Sequence, residues 1–213
     1  MSRIFLIPGL GADTRIYKDI DLQGNEAVNV NWIEPDKSDT LPSYAQKLID
    51  KYHITPHSIV IGNSLGGMIA IEIANKIDLD KVILISSIKT ADEAPLNFKL
   101  FKYLPLYKIV PARLITSMGF IIRFAFGKMS KNHQDMFVSM LRNTSAKFVK
   151  WAIGAILHWD NQTIPKNVYH ITGDKDKVFP YKRIKGATII KGGTHIMIFN
   201  RAKEINSWLK EIL

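Results

Sequence analysis

The 213-residue chain is expected to be an α/β protein: a mostly parallel sheet of about six strands, helices on both faces, and one helical insertion. Three observations predict this. Short apolar runs recur along the chain and end in turn-forming residues. Segments with helical apolar spacing separate most of them. Strand patterning then vanishes between about Lys89 and Thr163 and returns afterwards. Strands alternating with helices imply crossover connections and hence a parallel sheet covered on both sides.

The elements follow in order. Ile4-Phe5-Leu6-Ile7, ended by Pro8-Gly9, suits a buried parallel strand. Gly9 to Asp13 reads as a loop and Thr14 to Ile20 as a short helix. Ala27 to Ile33 reads as a second strand. Leu41, Tyr44, Ala45, Leu48 and Ile49 form one apolar face of a helix from Leu41 to Tyr52, with Ser38 and Asp39 as cap candidates. Ser58 to Ile61 is a third strand, running into a glycine-rich turn and a helical segment from Met68 to Lys76. Lys81 to Ile85, Asn167 to Thr172 and Ala187 to Ile190 complete the strands. His195 to Leu213 closes the chain as a helix, with Ile198, Ala202, Ile205 and Leu209 on one face.

The chain reads as one domain over residues 1–213, and the stretch from 90 to 163 as a helical cap inserted over the C-terminal edge of the sheet. Within it, Tyr103 to Phe126 is the most apolar window. Pro105, Lys108, Pro111, Arg113 and Arg123 make a spanning helix costly, so a cap that covers the core and lines a pocket is the better reading. Met118, Met129, Met136 and Met140 read as packing residues there.

Composition bounds the chemistry. With no cysteine, disulfides and thiolate metal sites are excluded. No spacing suggests a metal cage, and no cofactor is expected. The first residues lack the long apolar core of a signal peptide, so a cytoplasmic location follows by default. The net charge of +10 is regional: −2 over residues 1–90, +6 over 91–160 and +6 over 161–213. No nucleic-acid motif accompanies it, so nucleic acid is not an expected partner. A solvated lysine-rich face is favoured over a lipid-contacting one, although a basic cap touching a membrane surface is a coexisting reading.

The chemistry sits at three loops. Gly62-Asn63-Ser64-Leu65-Gly66 matches G-x-S-x-G between an apolar strand and a helix. Such a turn lifts Ser64 above the sheet edge and demands small residues two before and two after it. The helix beginning there favours developing negative charge. The fifth strand ends in Gly173-Asp174-Lys175-Asp176, and the sixth in Gly192-Gly193-Thr194-His195. Serine, acid and histidine thus follow successive strands, at the sheet edge where a parallel fold places its site. A serine hydroxyl needs a base, and the base needs a partner to fix its tautomer, so Ser64 is expected as nucleophile, His195 as base and Asp176 as orienting acid.

On these residues the chain resembles the α/β-hydrolase superfamily over essentially its whole length. Gly62 to Gly66 is similar to the nucleophile elbow, Gly173 to Asp176 to the G-x-x-D acid loop, and Gly192 to His195 to the histidine loop. Ile7-Pro8-Gly9-Leu10-Gly11 resembles the oxyanion loop, which implies that the backbone N–H groups of Leu10 and Leu65 hold the oxyanion. The chain departs from many members in having Pro8-Gly9 for His-Gly, Asn63 for histidine, and no strands before the oxyanion strand.

The expected activity is hydrolysis of a carboxylic ester or thioester through an acyl-enzyme. The substrate is expected to be a small molecule with an apolar group. The alternatives are a binding or signalling module that keeps only the fold, or a membrane-associated lipase or acyltransferase. Asp174 competes with Asp176 as the acid, and Asp92 or Glu93 are weaker candidates. His53, His57, His133 and His170 read as surface or core residues, and His158-Trp159-Asp160 as packing at the end of the cap.

Overall fold

In a computed structural model, residues 2–103 and 129–213 are described. Met118 and most of the apolar 103–126 window lie outside them. Six strands, β1 (Arg3–Ile7), β2 (Glu26–Asn29), β3 (Ile59–Asn63), β4 (Lys81–Ile85), β5 (Val168–Gly173) and β6 (Thr188–Ile190), form one sheet. Its order is β2-β1-β3-β4-β5-β6, and every pairing is parallel. The chain leaves β1 toward one edge and then returns to lay β3 on its other side. The C-terminal ends of β1 and β3 therefore flank a topological switch point, where an open α/β sheet leaves a crevice.

Why these runs pair as buried strands is visible in their alternation. Phe5, Ile7, Val60, Val82 and Leu84 pack on one side with α1 (Leu41–Tyr52) and α2 (Leu65–Ala74). Ile4, Leu6, Ile59, Ile61, Ile83 and Ile85 pack on the other. Both strand faces are apolar because both are covered, and each large side chain so buried contributes about 1.5–3 kcal/mol.

The helices are capped locally. α1 begins at Thr40, whose Oγ1 accepts from the Ser43 N–H at 3.3 Å while Ser43 Oγ accepts from the Thr40 N–H at 3.0 Å. This capping box replaces the expected Ser38 or Asp39 cap. Asp39 instead accepts from Lys47 Nζ at 2.6 Å. The expected helix at Thr14 is a single tight turn, Thr14–Tyr17, capped by Asp13. From it the buried Tyr17 hydroxyl donates to the Ile7 carbonyl at 2.7 Å, pinning the turn to the C-terminal end of β1.

Two expected elements come out shorter or broken. The second strand stops at Asn29, not Ile33, because the edge chain then turns inward: Trp32 Nε1 donates to the Ala12 carbonyl, and the Ile33 N–H to the Tyr44 hydroxyl. Between β4 and β5 the described residues form α3 (Asn97–Tyr103), α4 (Lys131–Asn143) and α5 (Ala146–His158), with no strand among them. The closing helix is two, α6 (Met197–Asn200) and α7 (Ala202–Ile212), broken at Arg201 with φ −128°. The break lets consecutive residues Ile196 to Phe199 all bury, while α7 presents Ile205 and Leu209 to the same core.

A charged cluster lies inside this frame. Lys89 and Glu93, each 5% exposed, pair at 3.0 Å, and Lys89 Nζ donates to His170 Nδ1 on β5 at 3.3 Å. Burial and the neighbouring ammonium lower the His170 pKa to about 3. An unfolded histidine titrates near ~6.5, so between these values the unfolded chain binds the extra proton and stability rises with pH. The contribution is complete above about pH 6.5 and is lost as pH falls toward about 3, amounting to about 2 kcal/mol already lost at pH 5. Urea unfolding at pH 7 and pH 5 checks this: His170→Gln should flatten the difference by about that amount, and an unchanged difference would refute it.

Candidate active site

The three loops singled out in the sequence meet at the switch point. Ser64 sits between β3 and α2 with φ 53° and ψ −117°, a left-handed conformation that costs a non-glycine residue about 1–3 kcal/mol. Surrounding bonds hold it there. Its N–H donates to the Ile85 carbonyl at 3.0 Å, and its own carbonyl accepts from the Ser87 hydroxyl at 2.7 Å and from the Gly67 N–H at 2.9 Å. Gly62 and Gly66 are required by contact. A Cβ on Gly62 would overlap the Gly66 backbone, and one on Gly66 would overlap the carbonyls of Ile7 and Pro8, neither of which can step aside.

Ser64 Oγ lies 2.9 Å from His195 Nε2, across 131 residues of sequence. His195 Nδ1 lies 2.9 Å from Asp176 Oδ2. The other carboxylate oxygen, Oδ1, accepts from the N–H groups of Val178 and Phe179, both at 2.8 Å. The Asp176 side chain is completely buried and that of His195 is 6% exposed. With Oδ1 committed to two backbone donors, Oδ2 is left to face the ring. Nδ1 therefore carries the proton, and Nε2 presents its lone pair to Ser64. Phe179 meets the imidazole edge-on at 5.5 Å and walls off one side of it.

The histidine and acid loops depend on each other. A Cβ on Gly173 would strike the Gly193 backbone, so only glycine lets the loops after β5 and β6 touch. Asp174, the competing acid, accepts from the Gly192 N–H at 2.6 Å and so ties the two loops together. Asp92 is exposed, and Glu93 is taken by Lys89. His170 is buried in the sheet, His53 caps α1, and His57 pairs with Asp80 at the surface. Trp159 packs, donating to buried Glu72 of α2 at 2.6 Å; burial raises the Glu72 pKa.

The loop after β1 runs against the serine: the Cβ direction of Gly9 points at Ser64 Cβ, 3.3 Å away. Among the described residues neither the Leu10 nor the Leu65 N–H has a protein acceptor. Both belong to the loops that meet at Ser64, and the Leu65 N–H opens α2. Two contacts escaped the sequence reading. Ser87 braces the elbow, and the buried Asn63 amide donates to the Ile85 carbonyl at 3.1 Å and lines the cavity. Neither has a local signal, because each partner is over twenty residues away.

A cavity of about 430 Å³ opens onto Ser64 and His195. Phe98 and Phe101 of α3, Phe137 of α4 and Ile156 of α5 line it, together with Phe179 and Phe199. His195 is the one ionisable residue on its surface among the described residues. No group of three His, Asp or Glu side chains there could hold a metal ion, and no described helix is long and apolar enough to cross a membrane.

The sequence profile of the alpha/beta hydrolase family matches residues 4–208. The chain belongs to that family. Solved structures of similar fold include a hydrolase from Pseudomonas aeruginosa PA01, 14% identical, with a TM-score of 0.77, covering 97% of this chain and 87% of that one. Others are an esterase from Exiguobacterium antarcticum (17%, TM-score 0.71, 99% and 92% covered) and a thermophilic esterase from Thermogutta terrifontis (15%, TM-score 0.71, 100% and 90% covered). At these identities the likeness is one of fold. A search of curated protein sequences finds no match. In this alpha/beta hydrolase the loops that carry Ser64, Asp176 and His195 stand at the C-terminal ends of β3, β5 and β6.

Proposed function

We propose that the protein is a serine hydrolase of carboxylic esters or thioesters carrying an apolar group. The observation that carries this is the unbroken relay of 2.9 Å contacts, Ser64 Oγ to His195 to Asp176, at the base of an apolar cavity. Ser64 Oγ attacks the acyl carbonyl carbon as His195 Nε2 takes its proton, and the buried Asp176 carboxylate stabilises the imidazolium. The Leu10 and Leu65 N–H groups receive the oxyanion, charge developing where donors already stand. Collapse returns the proton from His195 to the leaving alcohol or thiol and leaves an ester on Ser64. Water, deprotonated by His195, then attacks that ester, and the acid leaves as Ser64 regains its proton.

The substrate follows from the walls. A charged acyl or alcohol group would lose its hydration inside them with no Lys, Arg, Asp or Glu among the described lining residues to pair with, at several kcal/mol, whereas each buried methylene contributes about 0.8 kcal/mol. We further propose that α3, α4 and α5, within residues 90–163, act as the substrate-selecting cap of a single domain.

Labelling with a fluorophosphonate probe tests the nucleophile. The wild type should be labelled and Ser64→Ala should not; equal labelling of both would refute the assignment. A series of aryl esters tests the cavity. Across the first added methylenes, kcat/KM should rise about threefold to fourfold each, and a hemisuccinate ester should be turned over at least about 100-fold more slowly than its uncharged isostere. Equal rates on charged and uncharged esters would refute the apolar reading.

A further inference from the structure

The hydroxyl of Tyr17 stands where the sheet opens. β1 and β3 pair from Ile4 opposite Ile59 to Ile7 opposite Gly62, and Pro8, which has no N–H, cannot carry the ladder further. The buried Tyr17 hydroxyl lies at that last pair and touches both strands. It donates to the Ile7 carbonyl at 2.7 Å, lies 3.3 Å from the Ile61 carbonyl, and faces the Asn63 N–H. A phenol has one proton, and the shorter contact holds it. Burial raises the Tyr17 pKa, which keeps that proton in place through neutral pH. The segment that leads to Tyr17 is itself held: the Ala12 N–H donates to the Gly9 carbonyl at 3.1 Å, and Asp13 accepts from the Arg15 N–H at 3.0 Å. The hydroxyl thereby closes the loop from Ile7 to Tyr17 onto the end of the strand it left.

Leu10 stands three residues beyond Ile7, and Leu65 three beyond Gly62. With so little chain between, the last strand pair sets the spacing of the two N–H groups. We propose that Tyr17 is a positioning residue for the reaction: its hydroxyl, bridging β1 and β3 at their last pair, holds the loop of Leu10 in register with the turn of Leu65. A terminal rung has no neighbour beyond it and opens most readily, and the Tyr17 hydroxyl gives this one a second tie. Tyr17 does not line the cavity, so it acts through Ile7 and Asn63 and not on the substrate. A misplaced donor is felt most in the transition state, because the oxyanion develops only there. The role rests on the hydrolase reading of Ser64 and refines it.

Tyr17→Phe keeps the ring and removes the hydroxyl. Its kcat on an aryl ester should fall about 10-fold to 100-fold, less than the loss of a whole oxyanion donor, with KM within about twofold of wild type. An aryl trifluoromethyl ketone supplies the readout specific to position. Ser64 Oγ adds to its carbonyl carbon, the proton passes to His195, and the carbonyl oxygen becomes an alkoxide where the oxyanion develops. Its inhibition constant should rise by the same factor as kcat/KM falls. Ile20→Ala is the packing control, since Ile20 is buried, its N–H donates to the Tyr17 carbonyl at 3.0 Å, and the variant keeps the hydroxyl. It should lower the melting temperature and leave kcat and the inhibition constant within about twofold. Both variants are assayed below their melting temperatures. In an active wild type, an unchanged kcat and inhibition constant in Tyr17→Phe, or an equal loss in Ile20→Ala, overturns the proposal and leaves Ser64 its role. A wild type that neither turns over esters nor takes the fluorophosphonate label removes the hydrolase reading itself, and the role of Tyr17 with it.

Discussion

Replacing Ser64 with alanine is expected to lower kcat for an aryl ester by about 10⁶-fold, and His195→Ala by a comparable factor. In the proposed mechanism the two side chains act as one unit. A serine hydroxyl is a poor nucleophile until its proton has somewhere to go, and Nε2, 2.9 Å away, is that place. Removing either partner removes the same step. The double variant should therefore be no slower than either single one, with a residual rate from the oxyanion donors and the cavity. Steady-state kinetics with active-site titration checks this. Additive losses, or a Ser64→Ala enzyme within about tenfold of wild type, would place the chemistry elsewhere.

Asp176→Asn should cost about 10⁴-fold in kcat with little change in KM. The carboxylate accepts on both oxygens, from His195 on Oδ2 and from the Val178 and Phe179 N–H groups on Oδ1. An amide cannot match that pattern. If its oxygen faces the two backbone donors, its NH₂ faces Nδ1, and the ring moves its proton to Nε2, where it can no longer deprotonate Ser64. If it flips, the NH₂ opposes two buried N–H groups, and stability falls by about 1–3 kcal/mol. Asp174→Asn provides the contrast. Its oxygen can still accept from Gly192, so kcat should stay within about twofold and unfolding should shift by about 1 kcal/mol at most. Steady-state kinetics paired with urea unfolding separates the two aspartates, and a 10⁴-fold loss in Asp174→Asn instead would reverse their roles.

Much of the fold was legible because its signals are local. β1, β3 and β4 announce themselves as uninterrupted apolar runs, since a strand covered on both faces has no polar side to show. The span of α1 was readable because its amphipathic face repeats within the helix, but its cap was not: Thr40 and Ser43 take the place expected of Ser38 or Asp39. The elements that differed respond to distant partners. β2 stops at Asn29 because Ala12 and Tyr44 capture the residues beyond it. The last helix breaks at Arg201, which lets Ile196 to Phe199 all turn into the core beside Ile205 and Leu209.

The same division holds at the site. The order serine, acid, histidine and the small residues around each were present in the linear chain, because a tight turn imposes its glycine requirement within five positions. By itself the sequence determined the parallel α/β class, the glycines at 62, 66 and 173, and the three loops that carry Ser64, Asp176 and His195. Only the tertiary structure decided that Ser64, Asp176 and His195 stand in one line of hydrogen bonds, that Asp174 serves the loop, that Ser87 braces the elbow, and that α3 to α5 supply an apolar wall. The physical reason is range. A turn or an amphipathic face is set by neighbours a few residues away, whereas a 2.9 Å contact across 131 residues exists only once the sheet has brought the strand ends together.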